Sequence, residues 1–245
     1  MFSAHEDFSL LFGIIQIMDK SGNIAVVFYG PPGSGKGTQA KLLSDKLNLY
    51  LFDTGDFLRK IFSNPKFKNN KEIQAQEDLY NEGKLVSVVW VLKNVSQKVK
   101  ELAKLDQSVV FSGSARSLFE AFGDKKHKGL VKILEEIFGR NNLYFFYLDI
   151  PNSESIKRNS RRSICPTCKN ALLAFASNMK NCPLCGDKIE RRSDDKKDII
   201  VKRLKEYRQM TIPVIKELKK RKYKVIKIDG MPAPYKIFNK ILNYF

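Results

Sequence analysis

Gly30-Pro31-Pro32-Gly33-Ser34-Gly35-Lys36-Gly37-Thr38 lies directly after the apolar run Ile24–Tyr29 and directly before an amphipathic stretch, Gln39–Leu47. A strand, a glycine loop and a helix in that order make a phosphate cradle. The glycines leave backbone N–H groups free to point inward, the helix N-terminus adds its positive dipole end, and Lys36 supplies a mobile cation for β and γ phosphates. The loop therefore predicts a nucleoside triphosphate ligand. Glycine-rich turns also serve only as helix caps, but here lysine, strand and helix stand together.

Working outward, four further short apolar, β-prone runs recur with helical patterns between them: Leu49–Phe52, Ser108–Ser112, Leu143–Asp149 and Tyr223–Ile228. Alternation of this kind predicts an α/β fold, a P-loop core with a five-stranded parallel sheet flanked by helices. Ligands of such sheets gather at the carboxyl ends of the strands. Those ends read Asp53-Thr54-Gly55-Asp56, Ser112-Gly113-Ser114-Ala115-Arg116, Asp149-Ile150-Pro151 and Asp229-Gly230-Met231-Pro232. Two stretches break the alternation: Thr54–Gly83, polar and mostly helical, and Ser163–Arg192, which holds every cysteine.

The four cysteines, Cys165, Cys168, Cys182 and Cys185, form two C-x2-C knuckles with thirteen residues between them. Turn residues flank them, among them Pro166, Pro183 and Gly186. That spacing lets four thiolates converge tetrahedrally on Zn²⁺, and a closed ligand set leaves no coordination position for chemistry. Disulfides are not expected in a cytosolic chain. The expected metal is a structural zinc.

At 245 residues, with 43% hydrophobic and 29% charged residues, the chain reads as one main globular domain with insertions. No apolar run reaches the length of about 18 residues needed to span a membrane. The stretch Phe8–Met18 is too short and follows His5, Glu6 and Asp7, where a secretory signal would carry positive charge. A cytoplasmic location is expected. The net charge of +18 suits nucleic acid or a multiply phosphorylated ligand equally well. Basic stretches such as Val214–Lys222 interleave lysines with apolar residues and read as solvated helix faces.

The phosphate loop departs from the general P-loop pattern in one respect, because Gly37 follows the lysine and the hydroxyl arrives at Thr38. Gly30–Gln39 fits GxPGxGKGTQ at each fixed position, and in this the chain resembles the nucleoside monophosphate kinases, the adenylate kinase family in particular. The resemblance runs from about Ile24 to the C-terminus. It implies transfer of the γ-phosphoryl group of ATP with Mg²⁺ to a nucleoside monophosphate, AMP ahead of GMP, by a monomer with no membrane or nucleic-acid partner.

It also implies an organisation: an N-terminal extension over 1–22, a core over 23–53, 84–162 and 193–245, an acceptor-binding arm over 54–83 and a zinc-bearing LID over 163–192. The first strand of the family begins almost at the initiator, so Met18 is a candidate start.

Residue by residue, the resemblance implies that Gly33, Ser34, Gly35, Lys36, Gly37 and Thr38 hold the donor phosphates. Arg158, Arg162 and Gly230 would lie on the donor side. Thr54, Arg59, Lys84, Val86, Gly113, Arg116, Glu120, Arg192 and Arg203 would bind the acceptor. Lys36, Arg116, Arg162, Arg192 and Arg203 would form the catalytic set, because in-line transfer between two anionic nucleotides needs positioning and charge neutralisation more than a base or nucleophile. Arg192 is followed by Asp194 and Asp195, as in the family's R-x-D-D segment.

Three positions depart from the pattern. Ser112 stands where an aspartate orders magnesium-bound water, leaving Asp56 or another acid to substitute. Glu120 stands where a glutamine reads the adenine edge, and an ionised carboxylate offers only acceptors, which favours guanine. The acid that follows Gly-Lys-Leu-Val is absent from Ser87-Val88-Val89. His5 and His127 fall in no motif, and Trp90 reads as a packing residue. The rival expectation is a nucleotide- or nucleic-acid-binding zinc-ribbon protein without catalysis.

Overall fold

The computed structural model describes residues 22–81, 86–165, 167, 171–172, 179–183, 185–191, 195 and 197–245. In chain order it runs β1 (Ala25–Tyr29), α1 (Lys36–Leu47), β2 (Tyr50–Phe52), α2 (Thr54–Phe62), α3 (Lys71–Asn81), α4 (Val88–Lys104), β3 (Val109–Ser112), α5 (Leu118–Phe122), α6 (Leu130–Phe138) and β4 (Leu143–Asp149). It continues through α7 (Asn152–Ser160), β5 (Ser163–Ile164), β6 (Ala171–Leu172), β7 (Glu190–Arg191), α8 (Lys197–Glu206), a π-helical turn (Tyr207–Thr211), α9 (Ile212–Lys220), β8 (Val225–Asp229) and α10 (Pro234–Leu242).

Five strands form the main sheet in the order β2-β3-β1-β4-β8, and every pairing is parallel. The α/β class with a five-stranded parallel sheet is therefore as expected from the alternating runs. β1 is central and all five of its residues are buried, which is why it reads as a continuous apolar run. Its side chains divide by parity. Val27 and Tyr29 join Phe111 and Phe145 on one face, under α4, α6 and α9, while Val26 and Phe28 join Phe146 and Leu148 on the other, under α1 and α10. Phe28 stacks on Phe146 with ring centroids 5.3 Å apart. Fully burying a side chain of this size contributes about 1.5–3 kcal/mol. At the β8 edge only Ile226 and Ile228 are buried, and the exposed Lys227 and Asp229 guard the open strand.

The last strand begins two residues later than its apolar run, at Val225 instead of Tyr223. Lys222 takes φ +62 and the Tyr223 amide bonds back to the Leu218 carbonyl at 2.9 Å, so Tyr223 closes α9 and does not enter the sheet. Between β2 and α4, Leu58, Ile61 and Trp90 form a small separate cluster with Val86, and Trp90 stacks on Phe62 at 6.0 Å. The second excursion contains a three-stranded antiparallel sheet, ordered β6-β5-β7.

Candidate functional site

The loop between β1 and α1 sits at the carboxyl edge of the central strand, flanked by β3 and β4. Its glycines carry backbone that side chains resist. Gly30 has φ +151, and a Cβ there would stand 2.5 Å from the Leu148 carbonyl oxygen and 2.5 Å from Ser34 Oγ. Gly35, the N-cap of α1, has φ +93, and the space its Cβ would fill is empty to 4 Å. That hollow above a helix N-terminus is where an anion would rest. The loop is braced from α7, since Ser155 Oγ donates to the Pro32 carbonyl at 2.6 Å and Asn159 Nδ2 donates to the Ser155 carbonyl at 2.7 Å.

Lys36 lies over the loop, its Nζ donating to the carbonyls of Gly30 and Pro31, both at 2.8 Å. Enclosure of this amine, and then the charges of Arg116, Arg203 and Arg162, lower its pKa from 10.5 to about 7. Three guanidiniums and an ammonium converge there from β3's end, α7's end, α8 and the phosphate loop. A carboxylate reaches into this group. Asp195, with 4% of its side chain exposed, accepts from Arg162 Nε at 2.9 Å and Nη2 at 2.6 Å, and lies 3.6 Å from Arg203 Nη1. Cations gathered beside a phosphate-type loop suit the pocket to anionic oxygens.

Arg158 is engaged on the far side. Its Nε donates to Glu154 at 2.7 Å, while Nη1 and Nη2 donate to the carbonyls of Gly230 and Met231 at 2.9 and 3.2 Å. Gly230 in turn lies against the loop, since a Cβ there would stand 2.8 Å from Ile150 Cγ2 and 3.3 Å from the Ser34 carbonyl oxygen. Arg158 and Gly230 thus meet at the rim of the loop.

On the other side, Thr54 Oγ1 and Ser114 Oγ share a hydrogen bond of 2.8 Å between α2 and the loop after β3. Arg59, half-exposed on α2, donates to Tyr80 Oη at 3.2 Å. Asp56 is tied to its own helix, 2.9 Å from Lys60 Nζ and 3.6 Å from Arg59 Nη2, and the Lys60 bond holds its carboxyl below the usual carboxylate range. Val86 packs on the Trp90 cluster. Ser112 Oγ comes within 3.6 Å of where a Gly37 Cβ would be, so the serine in place of the expected aspartate does face the start of α1.

Glu120, expected at the acceptor base, also has a structural bond set. Its Oε2 accepts from the amides of Arg116 at 2.5 Å and Ser117 at 3.0 Å, while Ser117 Oγ accepts from the Glu120 amide at 3.1 Å. This is a capping box at the start of α5. One carboxylate oxygen is therefore committed to backbone, and only Oε1 is left to face a ligand. The Ser-x-x-Glu spacing that announces such a box was present in the sequence. Beneath it, the Tyr29 hydroxyl is buried without a hydrogen-bond partner among the described residues, and burial followed by the Glu120 charge pushes its pKa up.

Among the cysteines, the Sγ atoms of Cys165, Cys182 and Cys185 all lie within 4.8 Å of one another, with Cys165 and Cys182 buried. Cys168, Lys84 and Arg192 lie outside the described residues. Asn159, which backs the phosphate loop, is a site residue that motif reading did not single out. Thr211, which lies in the family-like stretch Arg203–Pro213, has a contact that the motif did not foretell, its Oγ1 donating to the Arg116 carbonyl at 3.1 Å. No helix among the described residues is long and apolar enough to cross a membrane.

The sequence model of the family described as "Adenylate kinase" matches residues 28–223. The adenylate kinase of Petrotoga mobilis is 31% identical over 222 residues, covering 89% of this chain and 95% of the relative. That of Chlamydia trachomatis is 32% identical over 241 residues, covering 92% and 91%. That of Mycoplasma mycoides subsp. mycoides is 34% identical over 220 residues, covering 88% and 96%.

Proposed function

Since the chain belongs to the adenylate kinase family, we propose that it is a phosphotransferase that moves the γ-phosphoryl group of ATP reversibly to AMP, giving two ADP. The observation that carries this reading is the convergence of Arg116, Arg162 and Arg203 on Lys36 above an open glycine loop. Such a cluster costs stability in the free protein and is repaid by an array of phosphates.

In this reading Gly33–Thr38 wrap the donor's phosphates, and Lys36 leaves its two carbonyl acceptors to follow the transferring group. Arg116, Arg162, Arg203 and, beyond the described residues, Arg192 neutralise the charge on donor and acceptor phosphates and hold them in line. No side chain needs to act as nucleophile. Arg158 and Gly230 border the donor nucleoside. Thr54, Arg59, Lys84, Val86, Gly113 and Glu120 border the acceptor. Arm, core and LID occupy the segments 54–83, 23–53 with 84–162 and 193–245, and 163–192.

Magnesium with ATP fits this site in a limited way. The hydroxyls of Thr38 and Ser112 are the oxygens beside the loop's end, and Asp56 is paired with lysine, so the ion would be held chiefly by phosphate and water oxygens. When bound, it supplies further neutralisation of phosphate charge. Zinc fits the cysteine cluster by donor chemistry, since three thiolates already stand within 4.8 Å of one another and the C-x2-C spacing brings Cys168 to the same knuckle. Metal-thiolate cysteines suit a reducing compartment, and we place the protein in the cytoplasm, as a monomer without a nucleic-acid partner.

A coupled assay for ADP formation, run with AMP, GMP, CMP, UMP and dTMP against one donor, tests the reading. AMP-dependent turnover is expected, with AMP preferred. Preference for GMP would shift the acceptor assignment, and nucleotide binding with no transfer to any acceptor would leave a non-catalytic binding protein.

A further inference from the structure

The loop that carries Arg116 rises from β3 through two residues in left-handed backbone, Gly113 at φ +81 and Ala115 at φ +54. For alanine that conformation is unfavourable, and no proline lies between Ser112 and Ser117 to stiffen the turn. The conformation therefore rests on what the loop is bonded to. Both peptide groups of Arg116 are held by side chains from elsewhere in the chain. Its amide donates to Glu120 Oε2 at 2.5 Å, and its carbonyl accepts from Thr211 Oγ1 at 3.1 Å. The guanidinium folds back, Nε donating to the Gly113 carbonyl, while the residue as a whole stays exposed.

The geometry points to Thr211 and Glu120 as positioning residues for Arg116, pinning the two peptide planes about which the arginine side chain swings. The inference rests on the reading of Arg116 as a phosphoryl-contacting group. Thr211 is suited to the task by its place in the chain. It is 6% exposed and ends the π-helical turn that follows α8. A π turn widens the helix by one residue and recurs at functional sites. Here it delivers a hydroxyl to a carbonyl 95 residues away in sequence. The same helical stretch carries Arg203, so one continuous element links Arg203 to Arg116, two of the cations whose charges act on Lys36. Glu120 completes the brace locally, and its bond to the Ser117 amide ties the same oxygen to the start of α5.

Thr211→Val removes the donor at nearly constant volume, and Thr211→Ser keeps it. A small displacement of a group that must address a transferring phosphoryl can cost on the order of 10²-fold. For Thr211→Val we expect kcat to fall about 10- to 100-fold with KM for ATP changed less than about twofold, and Thr211→Ser to recover most of the loss. Glu120→Ala should fall in the same direction. Glu120→Gln, whose amide oxygen can accept the same two N–H groups, should lose clearly less than Glu120→Ala.

Pairing Thr211→Val with Arg116→Ala closes a double-mutant cycle. If Thr211 acts through Arg116, adding Thr211→Val to Arg116→Ala lowers kcat no further. A kcat for Thr211→Val within twofold of the parent, equal losses for the valine and serine variants, or losses that multiply in the cycle would each overturn the inference. Arg116→Ala that keeps near-parental kcat would instead overturn the phosphoryl-contact reading on which it rests. Should Thr211→Val not fold, Glu120→Ala in the same cycle, with Glu120→Gln as its rescue, decides the question by the same criteria.

Discussion

Raising the pH from 7 to 9 should weaken binding of a metal-free, non-hydrolysable ATP analogue about fifty-fold. Lys36 can pair with a triphosphate only when protonated. In the free protein its pKa is lowered to about 7, first by enclosure and then by Arg116, Arg203 and Arg162. Half of the amines are then protonated at pH 7 and about one in a hundred at pH 9. A bound triphosphate favours the ammonium and raises this pKa, so the complex takes up a proton and affinity falls as pH rises through the window above 7. Fifty-fold corresponds to about 2.3 kcal/mol.

The analogue's own terminal phosphate contributes equally to the parent and to Lys36→Arg, so the difference between the two proteins isolates the lysine. Calorimetric titration at pH 8.5 in two buffers of different ionisation enthalpy should report uptake approaching one proton per analogue bound. Lys36→Arg, whose guanidinium stays charged throughout, should abolish the lysine's share of both the slope and the uptake. Binding that is flat from pH 7 to 9, with no proton uptake by the parent protein, would refute the assignment of the lowered amine to the phosphate site.

Asp195→Ala withdraws a nearly buried carboxylate from two partly exposed guanidiniums, at a cost of about 2–3 kcal/mol. That should appear as a melting temperature roughly 5–10 °C lower in the free protein. The deficit should shrink with saturating ATP, because phosphate oxygens replace the carboxylate, and an equal deficit in both states would count against this. The purified, reduced protein should carry about one zinc per chain, and Cys165→Ser should lower both metal content and melting temperature more than kcat, since structural sites store folding energy. Metal analysis showing no zinc with four titratable thiols would remove the site. For Glu120→Gln the AMP-to-GMP ratio of kcat/KM should stay within about threefold of the parent, because the capping oxygen is retained. A marked gain for AMP would assign Glu120 Oε1 to the base.

What was legible in the sequence was whatever depends on neighbours along the chain. The glycine loop, the central strand and the alternation of strands and helices are local patterns, and each predicted strand of the sheet is present, with shifts of one or two residues at turns such as Lys222–Tyr223. The Ser117-x-x-Glu120 spacing was equally local. Its structural meaning was hidden because the resemblance assigned the same glutamate to the acceptor base. Long-range partners could not be read this way. Nothing in the stretch Tyr207–Pro213 announces that Thr211 bonds the Arg116 carbonyl, and the Arg162–Asp195 pair joins residues 33 positions apart whose sign, but not whose contact, is written in the chain. The strands β5, β6 and β7 are two residues each, too short for an alternating pattern to register.

The small sheet joins the core through the residues that carry the charge. β5 starts at Ser163, immediately after Arg162, and β7 ends at Arg191, four positions before Asp195. The ion pair between Arg162 and Asp195 therefore closes the base of the cysteine-bearing excursion. A polyphosphate entering the cradle competes with Asp195 for the same guanidinium, and it does so with charge-assisted bonds of at least equal strength. In the proposed function, ligand binding at Arg162 and weakening of this ion pair would be one exchange of partners. A zinc held by the proposed cysteine site would have structural and not chemical work to do, and its loss should weaken the fold of the excursion while leaving the phosphate loop itself intact.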